Sequence, residues 1–273
     1  MKIDLSHNLN LTFIITKLNE TCEELVKCFL DYNIPNNFCI LISEDDNQSK
    51  IYKESELINK FKNNYKKIYS GKKLLSKNRL YALENCNTKW CYFVDADDCL
   101  DLYGLSKFLN DFNEIVKNNK DFYYLVNYLC IKKNYSVYNY KGYLTMWNII
   151  WNVDFIKKYM VTTWNGNLEE VPTWINIFLN SNPDYGILYD YYMYIKYQSN
   201  NNMSLGKNYL DYFYKYCNEN ISINDYMKIV NILNKSNFLL SDFKYDLNNK
   251  LIDKYSETNY LLNKIYSDKI KKD

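Results

Sequence analysis

The stretch that decides the fold is WCYFVDADD, residues 90–98. Its first five residues are apolar or aromatic, and three of the last four are aspartates. A continuous apolar run of this length is typical of a strand buried on both faces. Asp95 and Asp97 would then lie on the turn that ends the strand, where two carboxylates can bind one hard cation such as Mg²⁺ or Mn²⁺. The alternative is that Asp97, Asp98 or Asp101 merely caps the following helix.

Strands and helices alternate around this stretch. The hydrophobic pattern predicts strands at residues 11–16, 38–43, 67–70 and 90–94. It predicts the intervening and following helices at residues 20–32, 54–63, 74–85 and 105–117. Alternation of this kind indicates an α/β fold with a mostly parallel sheet and right-handed crossovers.

A second acidic group, residues 44–46, follows the second predicted strand. Ligands of open α/β sheets bind beyond the carboxyl ends of the strands. Both acidic groups are therefore expected at one edge of the sheet, and this coincidence carries more weight than either group alone. A solvated acidic turn remains the other interpretation of residues 44–46.

The pattern changes after residue 121. We expect strands at 122–132 and 135–140, which could pair in the antiparallel direction, and a further strand near 187–195. Helices are expected at 153–160 and 170–180, and the chain is then helical to its end. This organisation predicts an α/β domain over residues 1–205 and a C-terminal helical extension over residues 206–273.

Composition limits the classes of protein that remain. Hydrophobic residues make up 47% of the 273 residues, enough for a core, and the net charge of +2 confines any nucleic-acid contact to a local patch. Abundant Tyr, Asn and Lys with a single Arg indicate an AT-rich genome, such as that of a phage or a low-GC bacterium. Eight scattered cysteines without a C-x-x-C pair predict free thiols and a cytoplasmic protein. No apolar run approaches about 18 residues, so no transmembrane helix is expected.

The chain resembles family 2 of the GT-A glycosyltransferases over about residues 11–205. The motifs that carry the resemblance occur in order, as TFIITKLN (12–19), SEDDNQS (43–49), GKKLLSKN (71–78), WCYFVDADD (90–98), MWNIIWNVDF (146–155), LEEVPTW (168–174) and YMYIKYQSNNNMS (192–204). The metal-motif strand, WCYFVDADD, is the most specific of these matches.

The resemblance implies a GT-A fold and an inverting transfer from a nucleotide-diphosphate sugar, most often a UDP-sugar. It implies a cofactor, Mn²⁺ or Mg²⁺, held by Asp97 with Asp95. The donor-binding positions that it implies are Thr16, Asn19, Asp45, Asp46, Lys77, Asp95 and Ala96. The family's general base maps to Glu170 or its neighbour Glu169, although acids also favour a helix N-terminus for dipole reasons alone.

The acceptor stays open at the level of the sequence. The usual acceptor of this family is a surface polysaccharide or a lipid-linked sugar. Trp147, Trp151 and Trp174 are expected near the acceptor side, where they would stack on a ring or belong to the core. Residues 50–79 carry ten Lys or Arg against two Glu, so a DNA acceptor with hydroxymethylated bases also remains. A nucleotidyltransferase and a non-catalytic sugar-binding protein are the rival classes.

Overall fold

A computed structural model describes residues 8–18, 22–31, 34–47, 50–117, 123–131, 137–140, 146–147, 149–163, 170–181 and 185–197, with short pieces between 216 and 229. In the first part of the chain the elements are β1 (Leu11–Lys17), α1 (Glu23–Asp31), β2 (Cys39–Glu44), α2 (Glu54–Phe61), β3 (Tyr65–Tyr69), α3 (Leu75–Glu84) and β4 (Trp90–Asp95). They are followed by β5 (Cys99–Leu100), α4 (Leu102–Ile115), β6 (Tyr123–Ile131), β7 (Val137–Tyr140), β8 (Ile149–Asn152), α5 (Val153–Tyr159), α6 (Glu170–Asn180) and β9 (Tyr185–Tyr197).

The strands form one mixed sheet in the order β3-β2-β1-β4-β8-β6-β9-β5, with β7 paired to β6. The first four strands are mutually parallel, as their alternation with helices predicts. β8 runs antiparallel to both β4 and β6, and β6 and β9 are parallel. The predicted α/β fold, a mixed sheet flanked by helices, is confirmed.

Helices cover both faces of the sheet because β1 and β4 are apolar on both faces. Alternate residues of β1 enter different cores: Phe13 belongs to the cluster that α1 and α4 complete, and Ile14 to the cluster that α3, α5 and α6 complete. In the first core the Phe13 ring lies 4.8 Å from Phe38 and 5.6 Å from Tyr92, centroid to centroid. Two packed cores hold the sheet rigid, and its edge is therefore a firm support for a site.

Two strands have no counterpart in the sequence prediction. β5 is only two residues long and exists through its antiparallel pairing with β9. β8 lies inside the motif at 146–155 and pairs with β4 in the antiparallel direction. The helix predicted at 105–117 begins earlier, at Leu102, because the side chain of Asp101 accepts a hydrogen bond from the Gly104 N–H at 2.7 Å.

Part of the predicted C-terminal extension packs on the α/β domain. Ile229 is fully buried in the core formed with α3, α5 and α6, and Tyr216 and Ile221 pack against the same core. The domain boundary at residue 205 stays a prediction, and most of residues 206–273 lie outside the described residues.

The described cysteines and helices bear on two further predictions. Six cysteines are free thiols: Cys22, Cys28, Cys39, Cys86, Cys91 and Cys99. Within the described ranges, none of the helices combines the length and the apolar composition that crossing a bilayer requires.

Candidate active site

The carboxyl ends of β1, β2 and β4 lie level with one another. In the sheet register Thr16 of β1 is paired with Ser43 of β2 on one side and with Asp95 of β4 on the other. The acidic groups at 44–46 and 95–98 follow directly, so both leave the same edge of the sheet. The prediction that they share one edge is confirmed, and β1 alone separates the strands that carry them.

The turn at 95–98 brings three carboxylates together. The Asp98 N–H donates to the Asp95 carbonyl at 3.2 Å, which closes the turn. One carboxylate oxygen from each of Asp95, Asp97 and Asp98 lies within 4.8 Å of the other two. Such a group of hard oxygen donors suits Mg²⁺ or Mn²⁺. Asp98 is the member that the sequence argument did not select as a ligand. Of the three aspartates that the sequence offered as a cap of α4, Asp101 is the one that caps it.

Arg79, the single arginine of the chain, supports this turn from α3. Its Nη2 atom donates to Asp95 Oδ1 at 2.8 Å, and the arginine side chain is only 3% exposed. The guanidinium also lies over the Phe93 ring, 5.6 Å from the centroid. Lys77, the basic residue that the motif selects on the same helix, is exposed to solvent. Arg79 therefore offsets part of the negative charge of the acidic turn.

Tyr194 of β9 contacts the turn from the opposite side. Its hydroxyl donates to Asp98 Oδ2 at 2.6 Å and accepts a hydrogen bond from the Asp95 N–H at 3.1 Å. Burial raises the pKa of this phenol well above its usual value, and the charges of Asp95 and Asp98 raise it further, so the hydroxyl stays protonated and is the donor. Sequence reasoning missed this residue, because 96 positions separate it from Asp98 and no local pattern marks it.

Three buried oxygen atoms mark the ends of β1 and β2. Among the described residues, Thr16 Oγ1, Glu44 Oε2 and Asp45 Oδ1 have no hydrogen-bond partner. Buried polar atoms in folded proteins are normally satisfied, so donor groups of a bound ligand would suit this place. Thr16 and Asp45 are positions that the resemblance selects, whereas Glu44 is an addition.

The remaining donor-binding positions lie at the same edge or outside the described residues. Asp46 is exposed just beyond β2, and Ala96 is buried in the acidic turn. Asn19 is outside the described residues.

A buried asparagine holds β1 and β2 in place at this edge. Asn78 of α3 donates from Nδ2 to the carbonyl oxygen atoms of Lys17, at 3.3 Å, and of Ser43, at 3.2 Å. Its Oδ1 atom is hydrogen bonded to the Ser43 hydroxyl. One amide thus binds both strand ends, and it fixes their relative height beside the unsatisfied oxygens.

Glu170 begins α6 and is 7% exposed. It is therefore a buried acid at a helix start, as the motif at 168–174 predicts. Glu169, the other candidate for the base, lies outside the described residues.

The three tryptophans proposed for the acceptor side differ in their surroundings. Trp151 and Trp174 are fully buried and pack together with ring centroids 5.2 Å apart, and Trp151 Nε1 donates to the Met146 carbonyl. Both belong to the core, which is the alternative that the sequence left open. Trp147 is 8% exposed and stacks on Tyr194 with centroids 4.6 Å apart, so it adjoins the acidic turn.

The sheet order, with the acidic turn at its carboxyl edge, is that of the GT-A fold. The family model of glycosyl transferase family 2 matches residues 12–174, which is more than half of the chain, and the protein belongs to this family. Of the classes that the sequence left open, this match supports a sugar-transferring enzyme rather than a nucleotidyltransferase or a non-catalytic sugar-binding protein.

Solved structures of S. aureus TarS share the fold. Residues 1–349 of TarS in complex with UDP-GlcNAc are 15% identical, with a TM-score of 0.59 over 96% of this chain and 89% of that chain. The complex of the same TarS fragment with UDP is 15% identical, with a TM-score of 0.60 over 96% of this chain and 88% of that chain. Among curated protein sequences, no significant match is found.

Proposed function

We propose that this protein is a metal-dependent, inverting glycosyltransferase that moves a sugar from a UDP-sugar to a hydroxyl of a glycan or a lipid-linked acceptor. The observation that carries the proposal is the group of three carboxylates at 95, 97 and 98, whose oxygens lie within 4.8 Å of one another beside the ends of β1 and β2. Membership of the family supports the transfer of a sugar, and the acidic group supports a divalent ion.

Asp97 and Asp95 are the proposed ligands of Mn²⁺ or Mg²⁺, with Asp98 as a third acid. Their oxygens are hard donors, and Asp97 is exposed at the surface of the turn, where substrate phosphates have access. When bound, the ion neutralises the donor diphosphate and makes it a better leaving group. Lys77, exposed on α3, is proposed to face the same diphosphate.

The nucleoside is proposed to bind at the ends of β1 and β2. A carboxylate there accepts a hydrogen bond from the imide N–H of uracil or from a ribose hydroxyl. Thr16 and Asp45 each carry a buried oxygen without a partner among the described residues, which supports their role. The UDP and UDP-GlcNAc complexes of TarS favour uridine, and we retain Asn19, Asp46 and Ala96 as further donor-binding positions.

Glu170 is proposed to activate the acceptor. Its carboxylate takes the proton of an acceptor hydroxyl, and the hydroxyl oxygen forms a bond to the anomeric carbon. The bond from that carbon to the diphosphate oxygen breaks, and the nucleoside diphosphate leaves with the electron pair. One base without a protein nucleophile gives a single displacement, so the anomeric centre is inverted. Glu169 is the alternative base.

The acceptor is proposed to approach past Trp147, the one tryptophan of the three predicted that adjoins the acidic turn. A DNA acceptor with hydroxymethylated bases is the second candidate. The exposed Lys72, Lys73 and Lys77, which follow β3 at the site edge, favour a polyanion. Transfer to DNA would weaken steeply with salt, whereas transfer to a neutral glycan would not.

The decisive experiment is transfer from UDP-sugars with and without Mn²⁺, with the product anomer read by NMR. We expect Asp97→Ala and Glu170→Gln each to lower kcat by about 100-fold or more. Asp154→Ala, which removes an exposed carboxylate of α5, is the matched control and should leave turnover unchanged. Near-wild-type turnover in Asp97→Ala would exclude the metal role, and retention of configuration would exclude the single displacement.

A further inference from the structure

The Tyr194 hydroxyl joins the two ends of the acidic turn. It accepts from the backbone N–H of Asp95, where the turn begins, and donates to the carboxylate of Asp98, where the turn ends. The backbone bond from Asp98 to Asp95 closes the turn from within. The phenol is thus a second tie, and the only one of the two that also acts on a carboxylate.

The scaffold leaves this hydroxyl little freedom. The Tyr194 ring is fully buried, stacks on Trp147 at 4.6 Å, and meets the Tyr92 ring edge-on at 6.4 Å. The backbone is held as well: Tyr194 pairs with Leu100 in the β5–β9 ladder. The Asp101 N–H donates to the carbonyl of the preceding residue of β9 at 2.9 Å. The position of the hydroxyl is therefore set by the packing of its ring and by the pairing of β9 with β5, the strand that directly follows the turn.

Asp98 needs such a partner. Its side chain is fully buried, and a buried carboxylate is costly unless hydrogen bonds satisfy it. It also lies among the oxygens of Asp95 and Asp97, which repel it. The hydrogen bond from Tyr194 satisfies Oδ2 of Asp98 and fixes the direction of its carboxylate. Arg79 does the same for Asp95 from the other side of the sheet.

We propose that Tyr194 is a positioning residue, which presets the acidic turn for a divalent cation and so determines how tightly the ion binds. The inference rests on the proposed metal-dependent function and assigns the affinity for the ion to a residue of β9. Partners that orient metal ligands through hydrogen bonds change metal affinity about 10- to 100-fold when they are removed.

Tyr194→Phe tests the hydroxyl alone, because the ring and its stacking on Trp147 are kept. Tyr92→Phe is the matched control: the Tyr92 hydroxyl is equally buried, adjoins the same ring, and has no hydrogen-bond partner among the described residues. Mn²⁺ is titrated into each full-length protein, and free Mn²⁺ is measured by electron paramagnetic resonance. Half-saturation by Mn²⁺ and kcat are then measured in the transfer assay.

We expect Tyr194→Phe to weaken Mn²⁺ binding about 10- to 100-fold and to raise half-saturation by a similar factor. Its kcat at saturating Mn²⁺ should stay within about threefold of wild type, and Tyr92→Phe should match wild type in every measurement. Equal Mn²⁺ affinity in wild type and Tyr194→Phe would overturn the inference while leaving the proposed function intact. Equal weakening in both variants would also overturn it, because core packing would then be the cause. A wild-type protein that binds no Mn²⁺ would overturn the metal role itself.

Discussion

The buried ion pair between Arg79 and Asp95 allows us to predict the thermal stability of the metal-free protein when the arginine is replaced. In Arg79→Met an apolar side chain takes the place of the guanidinium over Phe93, and the charge that faces Asp95 is lost. The Asp95 carboxylate then stays beside those of Asp97 and Asp98 without this cation. The change leaves three neighbouring acids in place and removes a counter-charge that is almost fully buried.

The magnitude follows from the burial of the pair. Loss of one partner from a fully buried pair costs about 3–5 kcal/mol. Asp95 is 20% exposed, so water compensates in part, and we expect a loss of about 2–3 kcal/mol in the free energy of unfolding. For a chain of this size each kcal/mol shifts Tm by about 2–4 °C. The expected decrease in Tm without metal is therefore about 4–12 °C.

Differential scanning calorimetry with and without Mn²⁺ measures this prediction. Mn²⁺ supplies positive charge to the same carboxylates, so it should return part of the lost Tm to Arg79→Met. Lys27→Met is the control, because Lys27 pairs with Glu23 at 2.8 Å on the solvent side of α1 and is 36% exposed. Its Tm should stay close to that of wild type. A Tm of metal-free Arg79→Met within about 2 °C of wild type would refute the argument.

Two further substitutions test the residue that holds the strand ends at the site and the packing of the first core, and removal of metal tests the need for a cation. Asn78→Asp replaces an amide that donates to two backbone carbonyls by a carboxylate that repels them. Urea unfolding should show a free energy of unfolding lower by about 3 kcal/mol. Asn47→Asp, at an exposed position, is the control and should leave this free energy unchanged. Phe13→Ala opens a cavity among the aromatic rings of the first core and should lower the free energy of unfolding by about 3–5 kcal/mol. Tyr103→Ala, at an 82% exposed position, should leave it unchanged. Similar losses at both sites would contradict the packing. Removal of divalent ions with EDTA should stop sugar transfer, and added Mn²⁺ should restore it; full activity in EDTA would argue against the metal role.

The first half of the fold follows from the sequence because its strands are continuous apolar runs with helices between them. Such runs are decided locally, and β1, β2 and β4 begin and end within about two residues of their predicted bounds. β5 could not be predicted, because two residues carry no periodicity and the strand depends on β9 as its partner. β8 was hidden inside a stretch interpreted as a motif rather than as a strand.

The site residues also fall into those that a local sequence pattern predicts and those that only distant contacts bring together. Asp95 and Asp97 follow an apolar strand, and that local signal placed them correctly at the sheet edge. Asp98 and Tyr194 meet only after the chain has crossed the sheet, so spacing along the sequence carries no trace of their contact. The role of Arg79 escaped for a related reason, since the motif directed attention to Lys77.

The dependence of the acidic turn on β9 has a consequence for the order in which the protein acquires its binding ability during synthesis. Residues 95–98 leave the ribosome long before residue 194, and domains generally acquire structure as they are made. Until the late strand docks, the aspartates are tethered to β4 but lack the phenol that joins their two ends. Competence for the cation should therefore be gained near the completion of the α/β domain, so that a nascent or truncated chain carries the acids without the shape that makes them a site.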